Sequence, residues 1–242
     1  MYRLVADATV RISAGQASTS ERSHLVATTT IKVDAVSDTS TTLTLTVTAR
    51  SLIRDGKRAD LPPPQQIQIT VSPDGRVTSV TTGGVQPTTL DAADVEDLVP
   101  LIGPPLPPGR VHVGDRWKRT AAEPVSSATP SPSPSPSATG TQEARLAGLR
   151  VVNGYACVVV TVTSRRPVVR ERTIAGTPLR LEGLEFATSE IAFAFRQGLP
   201  VSVASDSEAR LGISGSAAQG GSVVIATTTT ITLQHRSAPG LR

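Results

Sequence analysis

A strict period of two runs through much of the chain. Leu43, Leu45, Val47 and Ala49 alternate with Thr42, Thr44, Thr46 and Thr48, and such a sequence presents one dry and one hydroxylated face only when it is extended and pleated. Similar alternation fills residues 25–36, 66–71, 179–195 and 223–233. Threonine and valine are both β-branched and suit that conformation. Turn chemistry separates the runs: Ser72-Pro73-Asp74-Gly75, Asn153-Gly154 and Gln197-Gly198 each supply residues that tolerate a reversal of the chain. Counting the runs predicts a mainly β protein with a large antiparallel sheet, curved or half-barrel, of about eleven strands.

Two segments depart from this pattern. Over residues 89–102, Val95, Leu98, Val99 and Ile102 fall at helical spacing behind a Thr89 cap, with Asp91 and Asp94 near the positive helix end. Pro100 and the following prolines stop it, so one helix is expected, laid over the sheet by that apolar stripe. Residues 124–142 contain alternating proline and serine from Pro130 to Pro136. They have no face to bury and are expected to form a solvated insertion in a single β-rich domain spanning 1–242. The parts on either side echo each other. Residues 45–50, LTVTAR, resemble 160–165, VTVTSR, and 75–80 resemble 198–203 in the same order, as two pseudo-repeated halves, 1–103 and 109–242, would.

Charge and composition narrow the function classes. The 24 basic residues outnumber the 20 acidic by only four, and aromatic residues make up 2% of the chain, which argues against a nucleic-acid partner. No run approaches the roughly 18 apolar residues of a spanning helix, so no transmembrane segment is expected. The single cysteine, Cys157, excludes an intramolecular disulfide and sits in an apolar run where a buried, unreactive thiol is expected. His24, His112 and His235 are far apart, with no close ligand pair, and Gly212-Ile213-Ser214-Gly215-Ser216 has its second glycine one place early for a nucleophile elbow. The expectation is a protein with no catalytic, cofactor or metal site. Two features could bind something else. Arg165, Arg166, Arg170 and Arg172 cluster around Pro167, either as a solvated loop or as a contact for anionic head groups or an acidic polymer. Trp117, the only tryptophan, reads as a core anchor or as part of a ligand cavity.

Trp117 closes the run Leu106-Pro107-Pro108-Gly109-Arg110-Val111-His112-Val113-Gly114-Asp115-Arg116-Trp117. This Pro-Gly-x-Val-x-Val-Gly-Asp-x-Trp junction between β-rich halves resembles a group of bacterial envelope proteins, secreted actinomycete proteins and lipoproteins among them. More distantly, the strand count with a covering helix is similar to the LolA and LppX lipoprotein carriers, half-barrels closed around an apolar cavity. The resemblance implies a secreted or envelope location. With no signal segment ahead of the first strand, the chain itself reads as a mature domain. The carrier likeness is one of fold alone and carries no residues with it; the expected role is non-catalytic, with Val95, Leu98, Val99, Ile102 and Trp117 facing an apolar or amphipathic, lipid-like ligand between sheet and helix. The alternative is a structural or protein-interaction module with a filled core.

Overall fold

The computed structural model describes residues 1–14, 16–73, 77–83, 104, 107, 109–121, 140–174, 177–214 and 221–234, with 77, 79, 80, 82, 83, 120, 121, 170–174 and 177–179 described by their backbone alone. The described residues form β1 (Tyr2–Ala14), β2 (Ala17–Val36), β3 (Thr41–Arg54), β4 (Lys57–Arg58), β5 (Gln65–Val71), β6 (Val77–Gly83), β7 (Arg116–Ala121), β8 (Gly140–Val152), β9 (Tyr155–Ile174), β10 (Thr177–Ala194), β11 (Leu199–Ser214) and β12 (Gly221–Leu233). Eleven of them follow one antiparallel path, β6-β5-β3-β2-β1-β12-β11-β10-β9-β8-β7, which is not closed, and β4 adds a short pairing to β3. The expected large antiparallel sheet is therefore present. The expected helix over 89–102 lies outside the described residues, as does most of the 124–142 insertion. The last three residues of that insertion, Gly140, Thr141 and Gln142, begin β8.

Each half of the chain lays down a meander, β1-β2-β3-β5-β6 and β7-β8-β9-β10-β11, and β12 joins them by pairing with both β1 and β11. The two sequence echoes fall on β3 and β9 and, in the second pair, on the start of β6, from Val77, and on Gly198 with the start of β11. Tight turns occur where sequence chemistry allows positive φ. Asn153 (50°) and Gly154 (81°) join β8 to β9, and Gly198 (67°) ends the turn into β11. Asp55 (47°) and Gly56 (76°) make a further reversal after β3, whose tip is held to β2 by the Asp55 N–H on the Arg22 carbonyl and the Arg22 N–H on Asp55 Oδ1.

The alternation of the sequence becomes a division between faces. Directly paired residues share a face, so Leu45 lies beside Ile67 on one side and Ile31 on the other. The same apolar face continues through Leu4, Ile231, Val203, Ile191, Val160 and Leu146. These residues are buried and form one cluster with Tyr2, Leu43, Ile69, Ala144 and Val162. Five register shifts, in the β2–β3, β5–β6, β8–β9 and β10–β11 ladders, bend the strands locally.

Gly183 marks the sharpest close approach. It pairs with Leu211 and Val168, and a Cβ placed on it would lie 1.9 Å from the Arg210 carbonyl oxygen. That oxygen belongs to backbone and cannot swing away, so only glycine lets β10 and β11 meet there. Gly148, whose added Cβ would meet nothing within 4 Å, is the control. Gly183→Ala should lower unfolding free energy in urea by about 3 kcal/mol, as overpacking does, and Gly148→Ala should change it by no more than ~0.5 kcal/mol.

Candidate functional site

Successive rows across the apolar face differ in side-chain size. The row through Leu4 is buried throughout, from Ala27 to Leu146, and apart from Ala27 its side chains are large. Two residues further along the strands, the row is Leu25, Ala6, Thr229, Ser205, Ser189, Val162, Ala144 and Trp117. The next row is Ser23, Ala8, Thr227, Ser207, Ala187, Ser164 and Gln142, and every member is half-buried. Beyond it the face turns apolar again, with Val168, Ala209, Leu211 and Val223 buried in a second cluster. A band of small and hydroxylated side chains thus crosses seven strands between two apolar clusters. In the row beside it Ser189 Oγ donates to Ser205 Oγ at 2.9 Å, and the hydroxyls of Ser23, Thr227, Ser207 and Ser164 give the band hydrogen-bonding capacity on an otherwise greasy surface.

One ion pair borders the band. Arg166 and Glu185 face each other across β9 and β10; the guanidinium donates to Glu185 Oε2 from Nη2 at 2.9 Å and from Nε at 3.2 Å. Only 16% of the arginine side chain and 6% of the glutamate side chain are exposed. In so dry a setting either charge alone would be costly, and the two-donor fork stabilises the carboxylate.

This geometry corrects the reading of the arginine cluster as a loop. All four arginines lie within β9, and the pleat separates the first two. Arg165 projects to the opposite, polar face, its guanidinium 5.7 Å from the centre of the Phe186 ring, whereas Arg166 is taken up by Glu185. The backbone pairs Arg170 with Leu181 and Arg172 with Leu179. Pro167 is tolerated mid-strand because β8 begins opposite this point and pairs with β9 only as far as Arg165. Val95, Leu98, Val99 and Ile102 lie outside the described residues.

Trp117 ends one row of the apolar face, where it pairs with Ala144 and packs half-buried against the main cluster. The junction before it is a turn. His112 N–H donates to Asp115 Oδ2 at 2.7 Å, Asp115 N–H to the His112 carbonyl at 3.0 Å, and Gly114 takes a φ of 101°. Gly114 N–H and Leu146 N–H then bond to Leu146 and Asp115 carbonyls respectively, extending the β7–β8 ladder beside the irregularity at Leu146 and Gly148. The Val-Gly-Asp-x-Trp spacing therefore sets the tryptophan onto the apolar face.

Other candidate groups are dispersed. His24 Nδ1 lies 2.7 Å from Asp7 Oδ1 on the polar face, and His112 is 3.5 Å from Asp115; His235 is outside the described residues. Among the described residues no three histidines, cysteines or carboxylates come together as a metal site, and no helix is long and apolar enough to cross a membrane. Cys157 is buried beside Ala192, Ala194 and Val201, and burial pushes its thiol above the usual range. Compared with known proteins, the chain matches no family model and no curated protein.

Two measurements follow from these surroundings. Glu185→Ala should destabilise by about 3 kcal/mol because it strands a buried guanidinium, whereas Arg166→Met with Glu185→Leu should recover most of that loss; equal losses in chemical denaturation would show that the pair itself supplies the stability. A thiol reagent should label Cys157 slowly in the folded protein and rapidly in denaturant, since reaction needs an exposed thiolate.

Proposed function

We propose that the protein is a non-catalytic component of the bacterial cell envelope, secreted or lipid-anchored, that binds an apolar or amphipathic, lipid-like ligand against the apolar face of a sheet bent as a half-barrel. The band running from Ser23 to Gln142 carries this reading. Its side chains are small or polar and half-buried, and it lies between the two buried apolar clusters, so a bound chain would lie across the strands with hydrocarbon toward both clusters. The serine and threonine hydroxyls would meet a polar linkage or head group. The bacterial envelope setting rests on the resemblance of the 106–117 junction.

A second reading is a structural or protein-interaction module with a filled core. It is favoured by the packing of Leu45, Ile67, Ile69 and Val201, none more than 1% exposed. A fluorescent fatty acid distinguishes the two. The ligand reading expects saturable binding by the parent protein, a lipid-sized mass increment by native mass spectrometry after mild extraction, and at least ~tenfold weaker probe binding by Ala187→Phe and Ser207→Phe. Leu45→Ala should cost about 2–5 kcal/mol and leave probe affinity per folded molecule unchanged. No probe binding by the parent, together with a clean apo mass, would sink the ligand reading in favour of the filled core.

A further inference from the structure

The turns of an antiparallel sheet alternate between its two ends, so the β2–β3, β8–β9 and β10–β11 connections fall at the same end. The 112–115 turn joins them there, because it bonds to Leu146 on the side of β8 that runs toward Asn153. This end carries bare apolar side chains that the core does not use. Val36 and Val151 are each 72% exposed, Leu149 70%, Val113 58% and Phe195 49%. At the opposite end the exposed apolar residues among those described are Val169 at 53%, Leu61 at 44%, Ile12 at 40% and Ile53 at 37%.

Val36 ends β2 and Leu149 and Val151 lie near the end of β8, while Val113 and Phe195 stand in turns. A protein partner selects a contiguous patch with a packed centre, whereas Val36 on β2 is separated from the β10–β11 turn by β1 and β12. A bilayer surface engages them differently, since each aliphatic or aromatic tip can enter the boundary between head groups and acyl chains independently. The accompanying charges specify the kind of bilayer. The Arg196 guanidinium lies 5.9 Å from the centre of the exposed Phe195 ring, and Arg110 is exposed ahead of the 112–115 turn, whereas Arg150, between Leu149 and Val151, is held by Glu190. Arginine beside an apolar tip suits the phosphate level of an anionic leaflet.

We propose that this end of the sheet docks on an anionic lipid bilayer, with Val36, Val113, Leu149, Val151 and Phe195 entering the interface and Arg196 contacting lipid phosphates. The choice of partner rests on the envelope reading above, and docking there would bring the apolar face next to a source or recipient of its ligand.

Flotation with vesicles of phosphatidylcholine alone and of equimolar phosphatidylcholine and phosphatidylglycerol tests it. The parent protein should float with the anionic vesicles, more weakly as salt rises, and stay behind with the neutral ones. Leu149→Ser/Val151→Ser/Phe195→Ser, which changes only exposed side chains, should bind at least ~tenfold more weakly; Arg196→Glu should lose the salt-sensitive part. Both variants should keep the parent's circular dichroism and fatty-acid probe affinity. Absence of anionic vesicle binding by the parent overturns docking, as does unchanged binding by the triple variant or a concentration-dependent dimer that the triple variant abolishes. Vesicle binding without probe binding would support docking and overturn the ligand reading alone.

Discussion

The ladder between β1 and β12 makes one sheet out of two meanders. Thirteen consecutive pairs, from Tyr2 with Leu233 to Ala14 with Gly221, place the first and last described strands side by side in the middle of the sheet. Local hairpins can assemble each half from near neighbours, but this ladder closes a loop of more than two hundred residues before it contributes a single contact. That cost puts the joining of the halves late in folding. The continuity of the apolar face depends on the same ladder: Leu4 beside Ile231 connects the cluster around Leu45 and Ile67 to the one around Val160 and Leu146.

A face that wide presents two problems, and the residues in the smaller rows answer both. Large side chains at every position would crowd one another wherever strands bend, so alanine, serine and threonine fill much of the rows between the clusters, and Gly183, beside Leu211 and Val168 of the second cluster, stands at the point of closest backbone approach. A uniformly apolar face would also specify register weakly, because one greasy row resembles the next. The Arg166–Glu185 pair breaks that degeneracy. A slip of β9 against β10 by two residues would leave two charges in a dry environment without partners, a penalty larger than any single apolar mismatch nearby.

The strands were legible because burial and alternation coincide: Leu43 and Leu45 are buried where Thr42, Thr44 and Thr46 are only half-buried. Asn153-Gly154 was equally legible, since few other dipeptides accept two positive φ values. The arginine cluster was misread because proximity in sequence suggested a common surface, whereas a pleat sends Arg165 and Arg166 to opposite faces. The Arg166–Glu185 pair left a usable signal. Glu185 falls in the inward phase of Leu181, Gly183, Ala187 and Ile191, and Arg166 in that of Val160, Val162 and Val168. The band was harder to see, because serine and threonine occupy both phases of nearly every strand, and only the register aligns those of β1, β2 and β8 to β12 into one row.

An unclosed sheet must also keep its edges from pairing with other chains. At the β7 edge the sequence Arg116-Trp117-Lys118-Arg119 sets Arg116 and Lys118 on the polar side, both highly exposed and both within salt-bridge range of Glu143. A strand approaching that edge would have to desolvate these cations, which favours leaving it in water. The polar face is similarly self-satisfied, with Arg150 on Glu190 at 2.8 Å, Arg180 on Glu182 at 2.8 Å and the Thr228 hydroxyl on Asp206 at 2.7 Å. Pairing of this kind, along β10 for Arg180 and Glu182 and between strands for the others, consumes charges that would otherwise attract a partner to the face. The surfaces with unspent capacity are then the hydroxylated band and the turns at one end, and the strands that carry the band, β2, β8, β9, β10 and β11, also lead into those turns.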